Sequence, residues 1–145
     1  MPDPIDIESP VSPGEGRYLC GLLYLTLRDG APVGNGDLAD LLDVSGPTVT
    51  EMSKAFSERG LVSHELYVGA ELTDCGERVA REILWRRCVV KEFFEATADV
   101  SLSDEEAYRI GLVVPDSDLD HLSELVEQPC HDHCVATDAD ECLLA

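Results

Sequence analysis

Cations are scarce in this chain. Of its 145 residues only ten are Lys or Arg, against thirty Asp or Glu, for a net charge of −20. Only Lys54 and Lys91 are lysines. Such a balance excludes broad, non-specific attraction to nucleic acid or anionic membrane. It suits a halophilic protein in a high-potassium cytoplasm, where surface carboxylates hold water and cations. Long apolar runs are missing too: none approaches the roughly 18 residues of a membrane span. The first ten residues hold three acids and three prolines but no apolar signal-peptide core. A cytoplasmic protein without membrane contact is therefore expected. The chain also lacks a phosphate-binding glycine loop, a Gly-x-Ser-x-Gly elbow and a His-Glu-x-x-His pair, so no enzyme is expected.

With 44% hydrophobic residues the chain can still build a core. Its charge is uneven. Residues 1–97 carry 17 acids and 9 bases, whereas 98–145 carry 13 acids and a single base, Arg109. Any surface that meets phosphate therefore belongs to the first two-thirds. Residues 1–13 read as a flexible arm. Leu19, Leu22, Leu23 and Leu27 form the apolar stripe of a helix beginning near Glu15 and closing at Arg28-Asp29-Gly30. Asn35 is expected to cap a short second helix that buries Leu38, Leu41 and Leu42 and ends near Asp43.

Val44-Ser45-Gly46-Pro47 predicts a tight turn into a third helix, capped by Ser45, with Pro47 in its first turn. Val49, Met52 and Phe56 should face inward there, leaving Thr48, Glu51, Lys54, Ala55 and Glu58 outside, and Gly60 stops it. Strand-like runs follow at Leu61–Leu66 and Ala70–Thr73, with Tyr67-Val68-Gly69 as the hairpin tip. Thr73 or Asp74 then caps a long helix from Cys75 to about Ala96, with Val79, Ile83, Val90, Phe93 and Phe94 as its stripe. Two shorter helices are expected near 104–113 and 116–127. Periodicity fades after residue 128.

The fold class this order predicts is mainly α with a small β-hairpin wing. A winged helix-turn-helix over residues 14–76 leads into a long helix and a helical dimerisation region over 77–127. An acidic Cys/His-rich tail closes the chain at 128–145. In a winged helix the third helix lies in the major groove and the hairpin reaches the adjacent backbone. Thr48 suits phosphate or base edges, Lys54 and Arg59 suit phosphates, and Glu51 can accept from cytosine N4 while repelling phosphate. The segment Val44-Ser45-Gly46-Pro47-Thr48-Val49-Thr50-Glu51-Met52 resembles the recognition helix of the diphtheria toxin repressor (DtxR/MntR) family. Gly60-Leu61-Val62, Leu72-Thr73-x-x-Gly76, the Tyr18-Leu19 start and the run Leu84-Trp85-Arg86-Arg87 fit the same pattern. The resemblance implies a metal-dependent regulator whose Ser45, Pro47 and Thr48 approach double-stranded DNA. It also implies a homodimer, formed through residues 89–127, that reads a palindromic site.

The resemblance further implies a metal between the first helix, the long helix and a later one. This chain departs from that pattern: Arg17 stands at the first ligand position, Cys20 at the second and Cys88 at the long-helix histidine, with Asp116, Asp120 and His121 as later candidates. The tail adds Cys130, His131, His133 and Cys134, with Cys142 beyond. Thiolate and imidazole together suit a transition metal ion such as zinc or iron, or an Fe–S cluster, better than manganese. Two other readings stay open: a regulator sensing oxidation through Cys130, Cys134 and Cys142, and a metal-free winged helix used for protein contacts.

Overall fold

The computed structural model describes residues 12–126, 130 and 133–141. Its described α-helices are α1 (Pro13–Asp29), α2 (Asn35–Leu42), α3 (Gly46–Glu58), α4 (Asp74–Ala98), α5 (Asp104–Val113) and α6 (Asp116–Glu124). Between α3 and α4 stands an antiparallel hairpin, β1 (Val62–Glu65) and β2 (Gly69–Leu72), with Val62 opposite Leu72. No helix of the described residues is long and apolar enough to cross a membrane.

The chain forms two compact units. One comprises residues 17–80 and 136–145, as far as these are described. At its centre α1 is buried on nearly every side, through Tyr18, Leu19, Cys20, Leu22, Leu23 and Leu25. The expected stripe was therefore too narrow: it omitted Leu25 and counted Leu27, which is only half-buried. The helix starts earlier than expected because Ser12 and Glu15 form a reciprocal cap, each accepting from the other's backbone N–H at 3.2 and 3.0 Å. Asn35 does not cap α2; Gly34 holds that position and makes no side-chain cap bond. Asn35 instead donates to the Gly46 carbonyl at 3.0 Å, tying the start of α2 to the start of α3. Leu41 is 41% exposed, and Ala39 takes its place in the core.

The hairpin has a third short partner: Val33 exchanges two backbone hydrogen bonds of 2.9 Å with Ala70. Gly76 lets α4 begin directly under the entry to β1. A Cβ on Gly76 would lie 1.8 Å from the Leu61 carbonyl oxygen. Thr73 completes that junction, accepting from Gly76 N–H at 3.0 Å and donating to the Gly60 carbonyl at 2.8 Å.

The other unit comprises residues 81–135 with the chain start up to Gly16, as far as these are described. Trp85, Val89, Val90, Leu102, Ala107 and Leu119 form its core. Two adjacent arginines of α4 are buried beside it. Arg86 donates to the Gly111 and Val114 carbonyls at 3.1 and 2.9 Å, closing the end of α5, and pairs with Asp116 at the start of α6. Arg87 pairs with Asp104 at the start of α5 and lies over the Tyr108 ring, 5.5 Å from its centroid. Sequence periodicity marks such arginines as surface. Here the orphan carbonyls and the acid-rich starts of the following helices draw them inward. α6 ends at Glu124, short of the expected 127.

Burial opposes the charge on Asp104, but the Arg87 hydrogen bond and charge, with Lys91 behind them, hold its carboxyl below the ordinary value of 3.8. The pair's contribution is complete above pH 3.8 and is lost as pH falls through the lowered folded value. Asp104 is 58% exposed, so the contribution is modest. Chemical denaturation should show wild type losing more stability than Asp104→Asn as the solution is acidified below 3.8. Parallel acid limbs would contradict the pairing. By the same measurement at neutral pH, Gly76→Ala should cost about 3 kcal/mol, because its clash is with backbone.

Candidate nucleic-acid interface and metal ligands

The rotation of α3 decides which side chains it presents. Val49, Ser53 and Phe56 are buried, and the Ser53 hydroxyl shares a 2.7 Å hydrogen bond with the Tyr18 hydroxyl. Tyr18 and Phe56 stack with ring centroids 4.9 Å apart. Burial raises the Tyr18 phenol pKa, and the bond to Ser53 only partly offsets that. Ser53 replaces Met52 as the fully inward residue; Met52 is half-buried. Pro47, Glu51, Lys54, Ala55 and Glu58 are exposed on the opposite face and Thr48 is half-buried, close to the expected arrangement.

Ser45 caps α3 by accepting from the Thr48 N–H at 3.2 Å, and its hydroxyl meets that of Thr48 at 2.8 Å. α3 is also the one described α-helix with no acid in its first turn; α1, α2, α4, α5 and α6 all carry one. In a chain this acidic, the positive end of the α3 dipole is left open to an outside anion. Arg59 caps the far end, exposed, its guanidinium 5.5 Å from the Phe56 ring centroid. In the hairpin, Leu66, Tyr67 and Val68 are exposed at the tip, and Tyr67 has φ 65°. A cleft of about 310 Å³ lies between the tip and the start of α2, lined by residues including Asn35, Thr50, His64 and Tyr67.

The expected metal ligands are dispersed. Among the described residues, no group of three or more His, Cys, Asp or Glu side chains is placed to hold a metal ion. Cys20 is buried and its thiol donates to the Ala80 carbonyl at 3.5 Å. Arg17, at the first ligand position, donates to the Leu42 carbonyl at 3.5 Å and helps close α2. Cys88 is half-buried with Arg87 Nη1 4.0 Å from its sulfur, a fixed positive charge that opposes a metal cation there. Asp120 and His121 are exposed on α6. In the tail, Cys134 is buried, Cys130 half-buried and His133 exposed. His131 and Cys142 lie outside the described residues.

Residues 17–70 match the family described as "Iron dependent repressor, N-terminal DNA binding domain". An uncharacterized HTH-type transcriptional regulator of Methanocaldococcus jannaschii is 29% identical over 109 residues, spanning 73% of this chain and 87% of its own. The manganese regulator SloR superposes with a TM-score of 0.67 at 25% identity, over 77% of this chain. ScaR with bound Zn2+ does so at 0.60 and 26%, also over 77%. This chain is similar to the iron dependent repressor family over residues 17–70. It spans 52% of the length of those two solved regulators.

Arg86 and Arg87 are buried. Their burial was the main feature that sequence reasoning missed. The nearest signal was the run of carboxylates at Asp104, Glu105, Glu106 and Asp116, which begin α5 and α6 and attract cations from α4. The Ser45 cap should be worth about 1 kcal/mol. Ser45→Ala should lower stability in denaturant by that amount, and no change would show that the cap does not organise the head of α3.

Proposed function

We propose that this chain is a homodimeric transcription regulator that binds a palindromic duplex through α3 and adjusts its affinity to transition-metal status. The observation that carries the DNA reading is the α3 surface. A capped helix start free of acids presents Ser45, Pro47 and Thr48, with Lys54 and Arg59 further along. A phosphate oxygen suits the positive end of the helix dipole and the hydroxyls of Ser45 and Thr48, and Thr48 and Glu51 are the proposed base-edge readers. Lys54 and Arg59 supply the sequence-independent attraction. Homodimerisation through residues 89–127, the end of α4 and the helices after it, would repeat this head at half-sites about one helical turn apart.

The metal response rests on the relatives, one a manganese regulator and one solved with Zn2+, and on the donor chemistry of the tail. Cys130, Cys134 and His133, with His131 and Cys142, are the proposed ligands. When bound, such an ion would supply a thiolate- and imidazole-held crosslink within the tail. Cys20, Cys88, Asp120 and His121 are the weaker proposal, given the contacts of Cys20 and the charge beside Cys88.

Arg59→Ala should weaken binding to operator and to random duplex by similar factors, and lower the slope of log affinity against log salt by about 1. Fluorescence anisotropy over a potassium chloride series measures both. An unchanged slope would remove Arg59 from the interface, and no duplex binding by wild type at any salt would remove the DNA reading.

A further inference from the structure

The hairpin between α3 and α4 contains no Lys or Arg, but it does carry the exposed acids Glu65 and Glu71. Its shaft is therefore repelled by phosphate rather than drawn to it. The tip is different in kind. Leu66, Tyr67 and Val68 are consecutive apolar residues, 63%, 99% and 48% exposed. A ring as exposed as that of Tyr67 adds nothing to the core. Tyr67 is also held at φ 65°, a left-handed conformation that glycine or asparagine adopts more readily than tyrosine. The backbone opposes a tyrosine here, and burial does not reward it. An apolar run and a backbone outlier at one exposed point mark a surface that meets a partner.

The position of the tip identifies that partner. The cleft of about 310 Å³ beside it is lined by Tyr67 from the tip, His64 and Glu65 from β1, Asn35 from α2 and Thr50 from α3. Thr50 lies on the flank of the proposed recognition helix, so the cleft separates that helix from the tip. With α3 in the major groove, the hairpin reaches the backbone bordering it, and across that backbone lies the minor groove. An uncharged tip gains little from phosphate, whereas sugar edges and base faces are apolar. We propose that Leu66, Tyr67 and Val68 form an apolar wedge that enters the minor groove beside each half-site and partly unstacks one base step there. This rests on the DNA reading above. The wedge binds by burying apolar surface and releases no counterions, so its contribution survives added salt. Unstacking costs least at flexible pyrimidine–purine steps, which gives the protein a sequence preference at positions α3 does not touch.

The test uses reduced, full-length protein and a duplex carrying the inverted repeat recovered by selection from a random library. Hydroxyl-radical footprinting reads minor-groove sugars, and anisotropy over a potassium chloride series reads affinity. Wild type should protect the sugars beside each half-site and bend the duplex by between about 20° and 90°. Tyr67→Asn suits the backbone at φ 65°, so its melting temperature should not fall. It should lose the flanking protection and bind roughly tenfold or more weakly at every salt concentration. Its slope of log affinity against log salt should equal that of wild type. Flanking sugars left open by wild type, or Tyr67→Asn that protects and binds as wild type does, would overturn the wedge while sparing the DNA reading. A lowered slope in Tyr67→Asn would place the tip on phosphate and overturn the wedge as well. Failure of wild type to bind any duplex would overturn the DNA reading, and the wedge with it.

Discussion

The seating of α3 on α1 is the constraint on which the proposed DNA-reading surface depends. A helix rotated by one residue would swing its outward set by about 100°. The buried hydroxyl pair of Tyr18 and Ser53 prevents that, since breaking it leaves polar atoms in the core unsatisfied. The Tyr18–Phe56 stack and the buried Val49 fix the same rotation from other positions. With the inward set fixed, Pro47, Glu51 and Lys54 face outward together and Ser45 opens the helix at a defined point.

A second constraint is the shortage of cations. Of ten Lys and Arg residues, Arg86 and Arg87 are enclosed between α4 and the helices after it, where they close helix ends and neutralise helix-start acids. Arg17 closes α2. The proposed interface leans on the acid-free start of α3, with Lys54 and Arg59 further along the helix. Placement compensates for number: acids begin every other described helix and are absent at α3.

Much of the fold was legible because its signals are local. Ser45, Pro47, Gly60 and Thr73 punctuate the chain by their own backbone chemistry, and the elements appear close to where these residues place them. What stayed hidden depends on partners far along the chain. Leu25 and Ser53 are buried because α1 is surrounded and because Tyr18 waits opposite Ser53. Asn35 reads as a cap, yet its side chain serves the Gly46 carbonyl eleven residues away. The metal donors could be named from composition, but their placement could not: Cys134 is held by Arg81, a residue with no sequence mark of that role.

The central claim is that α3 reads duplex DNA. The most direct measurement is selection from a randomised duplex library by reduced, full-length protein in concentrated potassium chloride, with and without added zinc(II), iron(II) and manganese(II). The account predicts enrichment of one inverted repeat with half-site centres about one helical turn apart, and loss of that enrichment for Thr48→Ala. Failure to enrich any sequence under every metal condition would contradict it.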